Sequence, residues 1–177
     1  MFWHNLEKER IYVSYDKATL EAKTVTGYKL IEGEDIINSM TPILGDGEDG
    51  FFVEVFETDS SAPQDNFVDP KRKALTKKPS FRLELSDPEI EPGEIYTLKI
   101  TFVDHADKEI VPEEPFDIKI KDTLDFISIS DKVLTYSEPV SIRLKAYAPG
   151  QSRVRVKDCD YKYVPSYQYI NIKAPNF

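Results

Sequence analysis

Tyr96-Thr97-Leu98-Lys99-Ile100-Thr101-Phe102 alternates apolar and polar residues without a break. A strand turns successive side chains to opposite faces, so Tyr96, Leu98, Ile100 and Phe102 share one side. Thr97, Lys99 and Thr101 share the other. One apolar face and one polar face is the pattern of a strand lying on a core with its back to water.

Working outward, the same period recurs on both sides. Phe81-Leu83-Leu85 precedes it, across a Pro92-Gly93 turn. Phe116-Ile118-Ile120 follows, with Asp117, Lys119 and Lys121 opposed. Asp125–Ser130 reads as a short strand, and Val140-Ile142-Leu144-Ala146 alternates with Ser141, Arg143 and Lys145. Val154-Val156 is expected to pair back across Pro149-Gly150 as a hairpin. Tyr167–Lys173 closes the series with Ile170 and Ile172 inward. About seven strands at this spacing predict an immunoglobulin-like antiparallel β-sandwich over 79–177.

Pro92-Gly93-Glu94-Ile95-Tyr96-Thr97-Leu98-Lys99-Ile100-Thr101 resembles the second strand of bacterial and phage immunoglobulin-like domains. Ala148-Pro149-Gly150-Gln151-Ser152-Arg153-Val154-Arg155-Val156 is similar to their late Pro-Gly hairpin. The resemblance implies a spacer or adhesive module of surface proteins, phage tails or capsids, without catalytic residues. It covers roughly residues 80–175. The antibody-type Cys…Trp…Cys core is absent, because Trp3 lies outside this region and Cys159 is the single cysteine.

The first half is predicted to be a smaller β-rich domain, residues 1–78. Ile11–Tyr15 and Val25–Ile31 read as strands. Asp35–Met40 reads either as a helical turn capped by Asp35 or as a strand stopping before Pro42. Gly45–Gly50 is a turn by composition. Phe51–Glu57 reads as one strong strand with Phe on both faces, hence covered on both sides. Thr58–Pro79 is polar, contains proline and ends in a run of cations, which predicts a linker or long exposed loop.

Bulk composition bounds the function. The 177 residues carry a net charge of −9, and 40% of them are hydrophobic, enough for a packed core. That field disfavours nucleic acid and anionic membranes as partners. One cysteine excludes an intrachain disulfide. The first ten residues lack the apolar core of a signal peptide, which predicts a cytoplasmic protein or a virion component. The chain contains no phosphate-cradling glycine loop and no nucleophile elbow. Only His4 and His105 are histidines, so neither a His-based triad nor a zinc set is expected.

Four groups remain as candidate sites. Phe2 and Trp3 form an apolar tip able to insert into a neighbour, or to pack on their own domain. Lys71, Arg72 and Lys73, with Lys77 and Lys78, form a basic cluster that either docks on an acidic partner or is simply solvated. Tyr161, Tyr163, Tyr167 and Tyr169 offer a glycan or protein contact surface, or cover a sheet edge. Asp46, Glu48 and Asp49 make an acidic turn that suits calcium or is a plain hairpin turn. Glu48 and Gly50 at the third and fifth places do not fit an EF-hand. The expectation is a non-enzymatic structural protein needing no cofactor, with protein partners in an assembly, another copy of itself among them. A carbohydrate-binding or adhesion module is the alternative.

Overall fold

The computed structural model describes residues 9–29 and 43–174. The Phe2-Trp3 tip and the Asp35–Met40 segment lie outside them. The chain divides into two compact units, Met1–Lys78 and Pro79–Phe177. Both are β-structure, and the described residues contain no α-helix.

Among the described residues, the first unit holds two three-stranded sheets. In one, β1 (Glu9–Asp16) lies between β2 (Ala22–Lys29) and β3 (Glu48–Phe52), antiparallel to both. In the other, β6 (Ala74–Lys77) lies between β4 (Val55–Glu57) and β5 (Asn66–Asp69). Val13, Tyr15, Ala22, Val68 and Leu75 form the core of this unit.

Two expectations are corrected here. Phe51–Glu57 is not one strand. It breaks at Val53-Glu54, where the Val53 N–H goes to the Ile11 carbonyl and the Glu54 N–H to the Lys73 carbonyl. The chain thereby changes sheets, and Phe51, Phe52 and Phe56 are each half-buried rather than enclosed on both faces. Residues 58–78 are not a linker. A 3₁₀ turn at Pro63–Asp65 leads into the β5–β6 hairpin. Most of the polar groups that suggested a loop are engaged locally, the buried Asn66 Oδ1 being the exception. Ser60 donates to Asp65, and the Asn66 amide donates to the Ser60 and Ala62 carbonyls at 3.0 and 2.8 Å.

The second unit is an immunoglobulin-like sandwich. Its strands are β7 (Ser80–Leu85), β8 (Glu89–Ile90), β9 (Ile95–Val103), β10 (Phe116–Asp122), β11 (Ile127–Ile129), β12 (Val133–Tyr136), β13 (Val140–Ala146), β14 (Gly150–Asp158) and β15 (Ser166–Ile172). One sheet runs β11-β13-β9-β7 and the other β12-β10-β14-β15-β8. The alternation of β9, β10 and β13 translates directly into burial: Leu98, Ile100, Ile118, Ile120, Ile142 and Leu144 are almost fully enclosed. Each such side chain stabilises the fold by roughly 1.5–3 kcal/mol relative to exposure. Phe81, Phe102, Phe116, Tyr136 and Tyr163 pack together as an aromatic cluster against this core, with Phe102 and Tyr163 centroids 4.7 Å apart.

Nine strands stand where about seven were expected. β8 and β12 are too short for alternation to reveal; β8 joins β15 in parallel through two residues. The expected hairpin across Pro149-Gly150 is also corrected. β13 pairs with β9 and β11, whereas β14 pairs with β10 and β15. Pro149-Gly150 therefore carries the chain from one sheet to the other. Gly150 sits at φ 141° with the Phe126 ring 3.2 Å from where a Cβ would stand, so this crossover requires glycine.

Candidate functional site

The strands β10, β14 and β15 are neighbours in one sheet, and their outward residues fall into register. Lys119 lies opposite Lys157, and Lys121 lies opposite Arg155. On the other side of β14, Arg155 lies opposite Tyr167 and Arg153 opposite Tyr169. Inward alternation of Ile118, Ile120, Val154 and Val156 forces these residues to the outer face. The result is four cations and two tyrosines on one surface, with the buried Lys157 held against Tyr161 just past the end of β14.

Like charges directly opposed across strands are destabilising. The tyrosines offset part of this. The Arg153 guanidinium lies 4.9 Å from the Tyr167 ring centroid and 6.0 Å from that of Tyr169. Lys157 Nζ lies 3.7 Å from the Tyr161 ring centroid and donates to its hydroxyl. That hydrogen bond holds the Tyr161 phenol below its ordinary pKa, with the charges of Arg155 and Lys119 adding to the effect. Among the described residues, neither the four outer cations nor Lys157 has a carboxylate within 4 Å, and the ion pairs lie elsewhere. Tyr169 is 70% exposed and Tyr161 72%.

The charge changes sign at one end of this face. Asp117 precedes Lys119 by the two-residue repeat of β10 and accepts from the Thr135 hydroxyl. Glu113 and Glu114 stand in the loop entering β10, and Asp160 stands just beyond β14. All four line an open groove of about 820 Å³, with Phe116 and Tyr163 among its apolar walls and Lys162 beside them. Burial pushes the Tyr163 phenol up, with Asp158 and Glu113 contributing.

The predicted tyrosines thus divide. Tyr161, Tyr167 and Tyr169 attend the cationic face, whereas Tyr163 packs on Phe102 and Phe116 at 4.7 and 5.0 Å. The face cations were not singled out from the sequence as a site. Their signal was present as outward Lys and Arg in alternating strands, but nothing local says that β10 and β14 are neighbours.

The basic cluster of the first unit is largely engaged within that unit. Lys73 pairs with Glu54 at 2.9 Å, Lys77 with Asp59 at 2.8 Å and Arg72 with Glu57. Lys78 is buried, pairs with Glu21 at 2.8 Å and lies 4.9 Å from the Phe67 ring centroid. Lys71 is exposed at the turn, where its N–H donates to Asp69.

The acidic turn is organised by its own backbone. Glu48 accepts from the Gly45 N–H at 3.0 Å, and Asp49 accepts from the Gly50 N–H at 2.8 Å. Among the described residues, no three His, Cys, Asp or Glu side chains converge to hold a metal ion. His105 lies in a turn where Asp104 accepts from the Ala106 and Lys108 N–H groups, which hold its carboxyl below the usual range. Two buried carboxylates are likewise committed to turns. Asp122 accepts from Leu124, Phe126, Ile127 and Ser152, and Asp158 from Lys162 and Tyr163.

No protein-family model matches the chain, and no curated protein does. Among solved structures, the chain is similar to domains 4 and 5 of the S-layer protein SbsC (15% identity, TM-score 0.37, 57% of this chain and 55% of that one). It is similar to the D00-D0 domain of intimin (14% identity, TM-score 0.37, 54% of this chain and 44% of that one). It is also similar to part of the β-glucuronidase of Parabacteroides merdae (14% identity, TM-score 0.43, 61% of this chain and 15% of that one). The chain thus spans about half or less of the length of each.

Proposed function

We propose that this chain is a non-enzymatic structural and interaction protein, a component of a larger assembly such as a phage or phage-like particle. The observation that carries the reading is the outer face of β10, β14 and β15. It presents Lys, Arg and exposed Tyr without internal carboxylate partners. Arg and Tyr are enriched at protein interfaces because they combine large contact area with directional polar groups. The buried carboxylates support it from the other side, because backbone N–H groups occupy their acceptor sites and hold them in turns. Density-purified particles from the producing cells test the reading by quantitative mass spectrometry. Recovery of the chain in stoichiometric amount with particle proteins is expected. Recovery in the free protein fraction alone would overturn it.

A carbohydrate-binding or adhesion module is the second reading. It is favoured by Tyr167 and Tyr169, two positions apart and both exposed on one face. Glycan-array binding lost on Tyr169→Ala with unchanged melting would establish it. Tyr163→Ala is the wrong probe, since that ring belongs to the aromatic cluster.

A further inference from the structure

We infer that the cationic face of the sandwich takes the acidic end of a second copy of this chain. The inference rests on the assembly reading and names its contact. Lys119, Lys121, Arg153 and Arg155 form a field without internal carboxylate partners among the described residues, with the buried Lys157 adding its charge behind them, on a chain whose net charge is −9. Everything outside the face is therefore more negative still. The acidic end lies along the same pair of strands: Asp117 on β10, Glu113 and Glu114 before it, Asp160 after β14.

This order selects the occupant. A long polyanion, whether nucleic acid or acidic polysaccharide, that tracked along β10 would leave Lys119 and meet Asp117 two residues on. Two residues of strand span about 7 Å, within one screening length at physiological salt. It would next meet Glu113 and Glu114. A second copy carries both signs in the same order, so its acidic end matches the cationic face while its own cations meet the acidic end or remain free. The first case closes a two-fold dimer, and the second extends a chain of copies. Apposing like charges across β10 and β14 costs stability in the lone molecule, and an acidic neighbour removes that cost.

The test is self-association of the full chain, read by light scattering and sedimentation velocity. Defined oligomers are expected at about 0.05 M salt, dissociating toward about 1 M, where the screening length is about 3 Å. Lys121→Glu with Arg155→Glu should weaken association at least tenfold, and so should Glu113→Lys with Glu114→Lys. Mixing the two variants should restore a one-to-one heterodimer, because each retains the half the other lost. That restoration also shows both variants to be folded. A wild-type chain that stays monomeric at low salt overturns the inference, as does an oligomer indifferent to salt and to both variants. So does a monomer that instead binds heparin or single-stranded DNA through the cationic face. None of these outcomes bears on recovery of the chain in purified particles, so the assembly reading stands or falls separately.

Discussion

Tyr136 and Phe102 tie the two sheets of the sandwich together. The Tyr136 hydroxyl, reached from β12, accepts the backbone N–H of Phe102 in β9 at 2.8 Å. Tyr136 is 1% exposed, and its ring also packs on Phe81, Phe102 and Phe116. Tyr136→Phe keeps the packing and strands a buried N–H. Urea denaturation should show a loss of about 1–3 kcal/mol. Tyr136→Ala adds a cavity and should cost about 3–5 kcal/mol. An unchanged Tyr136→Phe midpoint would mean that the hydrogen bond contributes nothing.

The same hydroxyl sets an alkaline limit. Burial raises the Tyr136 phenol above its ordinary value near 10, against the opposing effect of the Phe102 N–H. A raised folded value means the stabilisation is complete below pH ~10. It is lost as pH climbs from there through the folded value, because the unfolded tyrosine ionises first. Stability measured from pH 9 upward should fall less steeply in Tyr136→Phe than in wild type. Equal slopes would contradict this.

Asp122 organises the passage from β10 to β11. Its carboxylate accepts the Phe126 and Ile127 N–H groups, each at 2.7 Å, and that of Leu124 at 3.1 Å. In Asp122→Asn, an amide donor faces one of these donors. We expect about 2–3 kcal/mol of destabilisation and faster amide exchange at residues 124–127. Unaltered exchange there would show that the turn forms without the carboxylate.

Gly50 in β3 lies beneath the Tyr12 ring. A Cβ at this position would fall 2.6 Å from the phenol Cζ. Tyr12 is buried and edge-on to Phe52 at 5.2 Å, so it has little room to retreat. Gly50→Ala should lower stability by about 1–3 kcal/mol. A variant as stable as wild type would show that the ring moves freely.

Within the basic run of the first unit, burial separates neighbours in sequence from one another. Lys78 is 5% exposed and bonded to Glu21, whereas Lys71 is exposed. Lys78→Ala should cost about 1–3 kcal/mol through lost packing, and Lys71→Ala less than about 0.5 kcal/mol. Equal effects on thermal melting would refute this division.

Local pattern carried a large part of the fold. Leu98, Ile100, Ile118, Ile120, Ile142 and Leu144 were placed inward by two-residue alternation alone, and all are buried. The period of a strand is a property of its own backbone, so it is written in consecutive residues. Where a segment changes partners midway, as at Val53-Glu54, alternation runs on and conceals the break. Where polar residues bond within their own segment, as Ser60 does to Asp65 and the Asn66 amide does to the Ser60 carbonyl, composition reads as loop although structure follows at once.

The candidate site shows the limit most clearly. The sequence determined that Lys119, Lys121, Arg153 and Arg155 point away from the core, because their neighbours are apolar at every second place. Only the tertiary structure decided that they share one surface. β10 and β14 lie some thirty residues apart in the chain, and their pairing depends on how two sheets enclose a common core. The crossover at Gly150 is part of that decision. A hairpin there would have placed β14 beside β13 and set Arg143 and Lys145, rather than Lys119 and Lys121, against its arginines. Register between distant strands follows from the whole core, and it is register that turns scattered cations into a field.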